Sequence, residues 1–142
     1  MVNVAVESST SQDEKSAPDP IIAAIDIGTN SVHMVVVRIK ASLPAFSIIA
    51  REKETVRLGD RDPQTGNLTP AAIERALGAL KRCQAVAKSL NAQQILAVAT
   101  SAVREAPNGQ EFVRSIESAL GLSVNLISGQ EEARRIYLGV MK

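Results

Sequence analysis

Three short runs that contain many β-branched residues follow one another before residue 57, and they constrain the fold more than any other feature. The runs are IIAAID (21–26), VHMVVVRIK (32–40) and FSIIAREKETV (46–56). Segments of this length that are rich in Ile and Val are typical of strands, and the short links between them favour pairing of neighbours. The sequence therefore predicts a three-stranded antiparallel meander.

The rest of the chain alternates between helical and strand patterns. After a polar loop (57–67), Thr69 and Pro70 predict a helix to about Leu90, because Thr is a good N-cap and Pro suits the first helical position. QQILAVAT (93–100) has the continuous apolar character of a buried parallel strand. There follow a helix between Asn108 and Gly121, a strand at LSVNLI (122–127) and a helix that begins at Ser128.

The predicted order, βββαβαβα, indicates an α/β fold with a mixed sheet and helices packed on its faces. Residues 1–20 are polar and rich in Ser, Asp and Pro, so they predict a disordered tail ahead of one domain over 21–142. Asn108 and Glu111 have the spacing of a helix-capping pair. Ligands of such sheets collect outside the carboxyl ends of the strands, where three unusual segments lie.

The composition gives no sign of a nucleic-acid or membrane partner. Lys and Arg number 16 against 15 for Asp and Glu, so any anion site has to be local. No stretch approaches the roughly 18–20 apolar residues of a membrane span, and no signal-peptide pattern opens the chain, so a cytoplasmic location is expected. Cys83 is the single cysteine, and its place in a helical pattern predicts a small core residue.

The first candidate site is the turn Asp26-Ile27-Gly28-Thr29-Asn30-Ser31 between the first two strands. Gly28 permits a close approach of the backbone, and the three polar residues after it add hydrogen-bond donors, so the turn suits a phosphate group. Asp26, at the end of an apolar strand, could orient water or a hydrated divalent cation beside that phosphate. An ordinary polar hairpin with an Asx-type turn has the same pattern.

The second candidate is Thr100-Ser101-Ala102-Val103-Arg104, where a buried strand leads into a short helical turn. A cation in the first turn opposes the helix dipole, so a purely structural sequence would more often have an acid there. Arg104 therefore suggests an anion site with a planar fork for phosphate oxygens. A surface arginine paired with Glu105 or another acid is the alternative.

The third candidate is the segment SGQEEARR (128–135) at the predicted start of the last helix. With Ser128 as the N-cap, Glu131 can complete a capping box. Glu132 then has no structural role, and a free carboxylate at a strand-to-helix junction could act as general base for water. Alternatively, both glutamates simply complement the helix dipole.

Two further residues have weaker claims. His33 is the only histidine, and without a second ligand it is expected to pack or to form a hydrogen bond. Arg57, in the loop after the third strand, is expected on a solvated surface, although it could border the path of a polyanion.

Together, the motifs DIGTNSVHMVV, VRLG, ATSAVREA and ISGQEEARRIYLGV resemble, in order and spacing, those of the exopolyphosphatase / guanosine pentaphosphate phosphohydrolase (Ppx/GppA phosphatase) family. The resemblance implies the actin-like ATPase (ribonuclease H-like) fold, in which two similar domains enclose a phosphate-binding cleft. Residues 21–142 would form the first domain. The implied activity is hydrolysis of a phosphoanhydride, with polyphosphate or guanosine pentaphosphate as substrate and Mg²⁺ or another divalent cation as cofactor.

The resemblance also implies roles for single residues. Glu132 would be the catalytic glutamate that activates the attacking water, and Arg104 would contact phosphate during catalysis. Asp26 would help to position the metal ion. The first phosphate loop would comprise Gly28, Thr29, Asn30 and Ser31.

A second, glycine-rich phosphate loop and a second domain are implied by the resemblance, and neither occurs before Lys142. The chain alone is therefore expected to be inactive, and self-association as a homodimer is expected where the second domain would pack. Two other functions fit the pattern: an ATP-dependent sugar kinase or other ATPase of the same fold, and a non-catalytic polyphosphate-binding module. Nucleotide binding would favour the first, and binding without hydrolysis the second.

Overall fold

The computed structural model describes residues 19–40 and 45–126, which form a five-stranded mixed sheet and its helices. The predicted helix beginning at Ser128 and residues 1–18 of the predicted tail lie outside the described residues. Among the described residues, no helix is long and apolar enough to cross a membrane. The strands are β1 (Ile21–Ile27), β2 (Ser31–Lys40), β3 (Ala45–Thr55), β4 (Gln94–Ala99) and β5 (Val124–Leu126), and the helices are α1 (Pro70–Ser89), α2 (Ser101–Glu105) and α3 (Gly109–Leu120).

The sheet combines an antiparallel half with a parallel half, in the order β3-β2-β1-β4-β5. β1 pairs with β2 and β2 with β3 in antiparallel fashion, so the predicted meander is confirmed. β4 lies parallel to β1, and β5 lies parallel to β4, as the continuous apolar run predicted for β4. The mixed α/β sheet expected from the element order is therefore present.

The core lies between the sheet and its helices, and it includes buried residues of α1, α2 and α3. The inward residues of β1 and β2, among them Ile25, Ile27 and Val32, are fully buried. On α1, Ile73, Leu77, Leu80 and Cys83 recur at helical spacing, and of these Leu80 and Cys83 are buried, the latter as the sequence predicted. Most of the buried face of α1 consists instead of small side chains, which allow the helix to approach the sheet closely: Ala72, Ala76, Ala79 and Ala87.

Of the three helix-end residues predicted from the sequence, two have the expected capping role. Thr69 Oγ1 accepts a hydrogen bond from the backbone N of Ala72 at 3.1 Å, and Gly121 closes α3 in the left-handed conformation with φ of 69°. Asn108 occupies the N-cap position of α3, yet its side chain forms no capping hydrogen bond. The predicted capping role of the Asn108 side chain is therefore wrong.

Asn108 instead joins two loops that are distant in sequence. Its Oδ1 accepts from the backbone N of Leu68 at 2.8 Å, and its Nδ2 donates to the carbonyl of Leu68 at 3.1 Å. The amide satisfies both polar groups of a buried residue, which is worth more than satisfying one N–H at an exposed helix end.

Candidate active site

The carboxyl ends of β1, β4 and β5 meet at one edge of the sheet. Ile27 pairs with Ala99, and Ala99 pairs with Leu126. The backbone N of Thr100 donates to the carbonyl of Ile27 at 3.2 Å, which continues the ladder by one residue. The turn after β1 and the turn after β4, two of the three predicted site segments, are therefore neighbours. The third segment, with Glu132, lies outside the described residues, and β5 ends at this same edge.

Asp26 of β1 has one carboxylate oxygen that the described residues leave without a hydrogen-bond partner. In register it lies between His33 of β2 and Val98 of β4. Its Oδ1 is buried, and no hydrogen-bond partner approaches it in the described part of the chain. Because a buried acceptor without a partner destabilises a fold, such an atom is a candidate for binding a ligand or ion. His33 is exposed, so its expected packing role is not observed.

The turn after β1 is a tight hairpin with a polar tip. The backbone N of Gly28 donates to the carbonyl of Ser31 at 3.0 Å, and Ser31 is the buried polar residue of the turn. Thr29 and Asn30 at the tip are exposed. The tip therefore presents its side chains to solvent at the edge of the sheet where Asp26 lies.

A loop after β3, residues 56–60, holds this hairpin by its backbone. The carbonyl of Asn30 accepts from the backbone N of Val56 at 2.8 Å and from that of Arg57 at 2.9 Å. The carbonyl of Thr29 accepts from the backbone N of Gly59 at 3.0 Å. Both carbonyls of the tip are thus turned towards the loop.

Charged side chains surround the same loop with an excess of arginine. We call Arg57, Arg61, Arg75 and Arg104 the arginine cluster; their acidic neighbours are Asp60 and Glu105. The nitrogen–oxygen distances are 3.5 Å for Arg57–Asp60, 3.8 Å for Arg75–Asp60, 4.0 Å for Arg61–Glu105 and 3.9 Å for Arg104–Glu105. Pairs this long and this exposed are weak, so the guanidinium groups of Arg57, Arg61 and Arg104 remain available to an anion, whereas Arg75 also donates to backbone carbonyls of the loop. The whole chain carries a net charge of +1, and this cluster concentrates positive charge locally.

The expectation that Arg104 opposes the helix dipole is wrong. Since α2 ends at Glu105, Arg104 lies in its last turn, where a cation complements the helix dipole. An unfavourable dipole therefore gives no reason to assign it to an anion site. The pairing with Glu105 that formed the alternative is present, at 3.9 Å and with 39% of the Arg104 side chain exposed. What remains in favour of phosphate contact is the place of Arg104 in α2, which follows directly on β4, whose end neighbours the turn after β1.

Comparison with known proteins assigns the chain. The sequence profile of the Ppx/GppA phosphatase family matches residues 35–142, more than half of its length. The chain belongs to the Ppx/GppA phosphatase family. This confirms the resemblance found in the sequence, and with it the actin-like fold that the resemblance implied.

Solved structures of the Ppx/GppA family superpose on this chain over most of its length. A family member from Aquifex aeolicus is 33% identical, with a TM-score of 0.77, and the match covers 87% of this chain and 40% of that one. An exopolyphosphatase from Cytophaga hutchinsonii is 31% identical, with a TM-score of 0.73, covering 80% of this chain and 36% of that one. The chain thus spans about two-fifths of these Ppx/GppA structures, consistent with an N-terminal portion.

In this Ppx/GppA protein, two residues near this edge of the sheet were not recognised from the sequence as important for the site. Gly59 belongs to the VRLG motif, which was noticed only as part of the resemblance. Arg75 looks like any exposed helical arginine, and no local pattern marks it. Its Nε donates to the carbonyl of Val56 at 2.9 Å, so it anchors the loop that holds the hairpin.

Proposed function

We propose that this chain forms the first domain of a phosphatase that hydrolyses phosphoanhydrides. The proposed reaction releases the terminal phosphate of inorganic polyphosphate, of guanosine pentaphosphate, or of both. Membership of the Ppx/GppA phosphatase family supports the reaction class. The observation that carries the site is that Oδ1 of Asp26, at the carboxyl edge next to the polar hairpin, is buried and has no hydrogen-bond partner among the described residues.

The hairpin and the arginine cluster supply the groups that a phosphate chain requires. Backbone N–H groups and hydroxyls of the hairpin act as neutral donors, and a guanidinium group of the arginine cluster adds a charged, planar fork. Positioning the phosphates and neutralising their charge is most of the work in phosphoryl transfer. The proposed phosphate-binding residues are Gly28, Thr29, Asn30, Ser31 and Arg104.

Asp26 is the proposed metal-positioning residue. The described part of the chain contains no group of three or more His, Cys, Asp or Glu side chains that could hold a metal ion. Mg²⁺ is commonly bound through one or two carboxylates, water and substrate phosphates, so a single unsatisfied carboxylate oxygen fits this ion. When bound, Mg²⁺ or another divalent cation would neutralise charge on the phosphate oxygens.

Glu132 is the proposed general base. It would take a proton from water as the water oxygen forms a bond to the terminal phosphorus, while the bridging P–O bond breaks and the shortened phosphate leaves. The end of β5 at Leu126, opposite Ala99, supports this role because the chain continues towards Glu132 from the edge where Asp26 lies.

We further propose that residues 21–142 act together with a second domain in a cytoplasmic enzyme. The chain spans about two-fifths of the matched structures, so it is expected to release little or no phosphate by itself. It would dimerise through the surface that otherwise packs against the second domain.

Phosphate release from polyphosphate and from guanosine pentaphosphate, with Mg²⁺, tests this function. The 142-residue chain is compared with a form extended by the second domain, taken from the Aquifex aeolicus relative where needed. The extended form should release phosphate, Glu132→Gln should reduce the rate at least about 100-fold, and the adjacent Glu131→Gln should change it little. Binding without release in the extended form, or equal effects of the two substitutions, would contradict the assignment.

A further inference from the structure

Gly59 touches the hairpin at a point where no side chain fits. A Cβ built on Gly59 would lie 2.8 Å from Cγ2 of Thr29 and 3.8 Å from the carbonyl oxygen of Thr29. Carbon atoms in van der Waals contact are separated by roughly 3.5–4.0 Å. An alanine at position 59 would therefore require movement of either the loop or the side chain of Thr29.

The loop resists that movement because it is anchored on both sides of Arg57. Arg75 donates from Nε to the carbonyl of Val56 at 2.9 Å and from Nη2 to that of Arg57 at 3.4 Å. Arg57 itself has a φ of 51°, a left-handed conformation that a non-glycine residue adopts only when its surroundings hold it there. The backbone N of Gly59 is bonded to the carbonyl of Thr29. Thr29 is thus the partner that gives way, and rotation about its χ1 would move its hydroxyl.

We propose that Gly59 is a positioning residue for the Thr29 hydroxyl in the phosphate-binding hairpin. This rests on the proposed function, in which Thr29 contacts phosphate. Gly59 acts by lacking a side chain. The loop can then approach closely enough for the backbone N of Gly59 to donate a hydrogen bond to the carbonyl of Thr29, while the Thr29 hydroxyl keeps one orientation. Gly59 does not itself contact the substrate.

The four variants that test this form a double-mutant cycle with a control. Gly59→Ala introduces the clash, and Thr29→Ser removes the clashing methyl while it retains a hydroxyl. The double variant combines the two. Gly78→Ala in α1 is the matched control, because the nearest atoms to a Cβ there are nitrogens of the flexible Arg82 side chain at 3.4 Å.

The measurement is the affinity of the 142-residue chain for tripolyphosphate, read from backbone amide shifts of the hairpin in two-dimensional NMR spectra. Gly59→Ala should weaken binding about tenfold with Thr at position 29, the loss of one hydrogen bond to a charged group, and less than about twofold in the Thr29→Ser background. Gly78→Ala should bind as the unsubstituted chain does.

Failure of the role proposed for Gly59 and failure of the proposed phosphatase function give different results. If Gly59→Ala binds normally, or weakens binding equally in both backgrounds, Gly59 does not act through the methyl of Thr29 and the proposal is overturned alone. If the unsubstituted chain shows no binding up to about 10 mM tripolyphosphate, the hairpin is not a phosphate site, and the proposed function fails together with this proposal.

Discussion

Cys83 and one carboxylate oxygen of Asp26 are both buried, and they differ in what surrounds them. Cys83 belongs to the apolar cluster between α1 and the sheet, with 2% of its surface exposed. Asp26 has a buried carboxylate oxygen without a hydrogen-bond partner among the described residues. The first residue contributes to the fold as a small hydrophobe, whereas the second is explained better by a ligand than by the fold.

The thiol of Cys83 should make stability depend on pH. Burial, and then the negative charges of Glu54 and Glu52, raise the pKa of Cys83 to about 11. An unfolded chain with the ordinary thiol pKa of about 8.5–9 loses its proton first. The contribution is therefore fully present below pH 8.5 and is lost as pH rises towards 11. Between pH 8 and 10 the free energy of unfolding should fall by about 1.5 kcal/mol more in the unsubstituted chain than in Cys83→Ala.

Urea unfolding at the two pH values measures this difference, and the same pKa predicts slow alkylation of the thiol in the folded chain at pH 8 with fast alkylation in urea. Cys83 is the only cysteine, so the label reports on it alone. Parallel pH dependence in the two proteins, or rapid alkylation of the folded chain, would show that the thiol is not buried as described.

Asp26 should be dispensable for folding, unlike a carboxylate with partners. Asp62 is the comparison, since its Oδ1 accepts from the backbone N of Gln64 at 2.8 Å and from that of Thr65 at 3.2 Å. Asp62→Ala should lower the free energy of unfolding by about 1 kcal/mol, whereas Asp26→Ala should leave it unchanged or raise it. Thermal unfolding compares them, and an equal loss at the two positions would mean that Asp26 serves the fold.

At the scale of elements, Asn108 shows how an interaction across the fold replaces a local one. Its sequence position predicts a cap, and its amide instead joins the start of α3 to the loop before α1 through Leu68, forty residues away. Spacing along the chain cannot reveal such a bond, because it depends on how two loops meet after the sheet has formed.

Substitution of Asn108 distinguishes a role as N-cap of α3 from the hydrogen-bonded connection to Leu68. Asn108→Ala should lower the free energy of unfolding by about 2–3 kcal/mol, because it leaves the N–H and carbonyl of buried Leu68 unpaired. Asn108→Asp keeps the acceptor and loses the donor, so its free energy of unfolding should lie between those of Asn108→Ala and the unsubstituted chain. Asp and Asn are equally good N-caps. Full stability of Asn108→Asp in urea unfolding would therefore favour the cap.

For the whole molecule, the sequence was most informative where the signal is local. Runs that contain many β-branched residues predicted the meander, Thr69 and Pro70 predicted the start of α1, and Gly121 predicted the end of α3. The candidate segments were found because polar residues directly follow β1 and β4. Gly59 and Arg75 were missed because their importance comes from one close approach and one long-range hydrogen bond. Both become visible only when the loop and the hairpin are seen together.

Phosphate binding at the carboxyl edge of β1 and β4 underlies every role proposed for the residues of this site. The direct test is a titration of the isotopically labelled chain with tripolyphosphate and Mg²⁺, followed by two-dimensional NMR. The largest shift changes should fall on residues 28–31 and 100–104, and Asp26→Ala should remove those changes that require Mg²⁺. Shifts confined to basic residues of β3, such as Arg51 and Lys53, with this edge unchanged, would contradict this prediction.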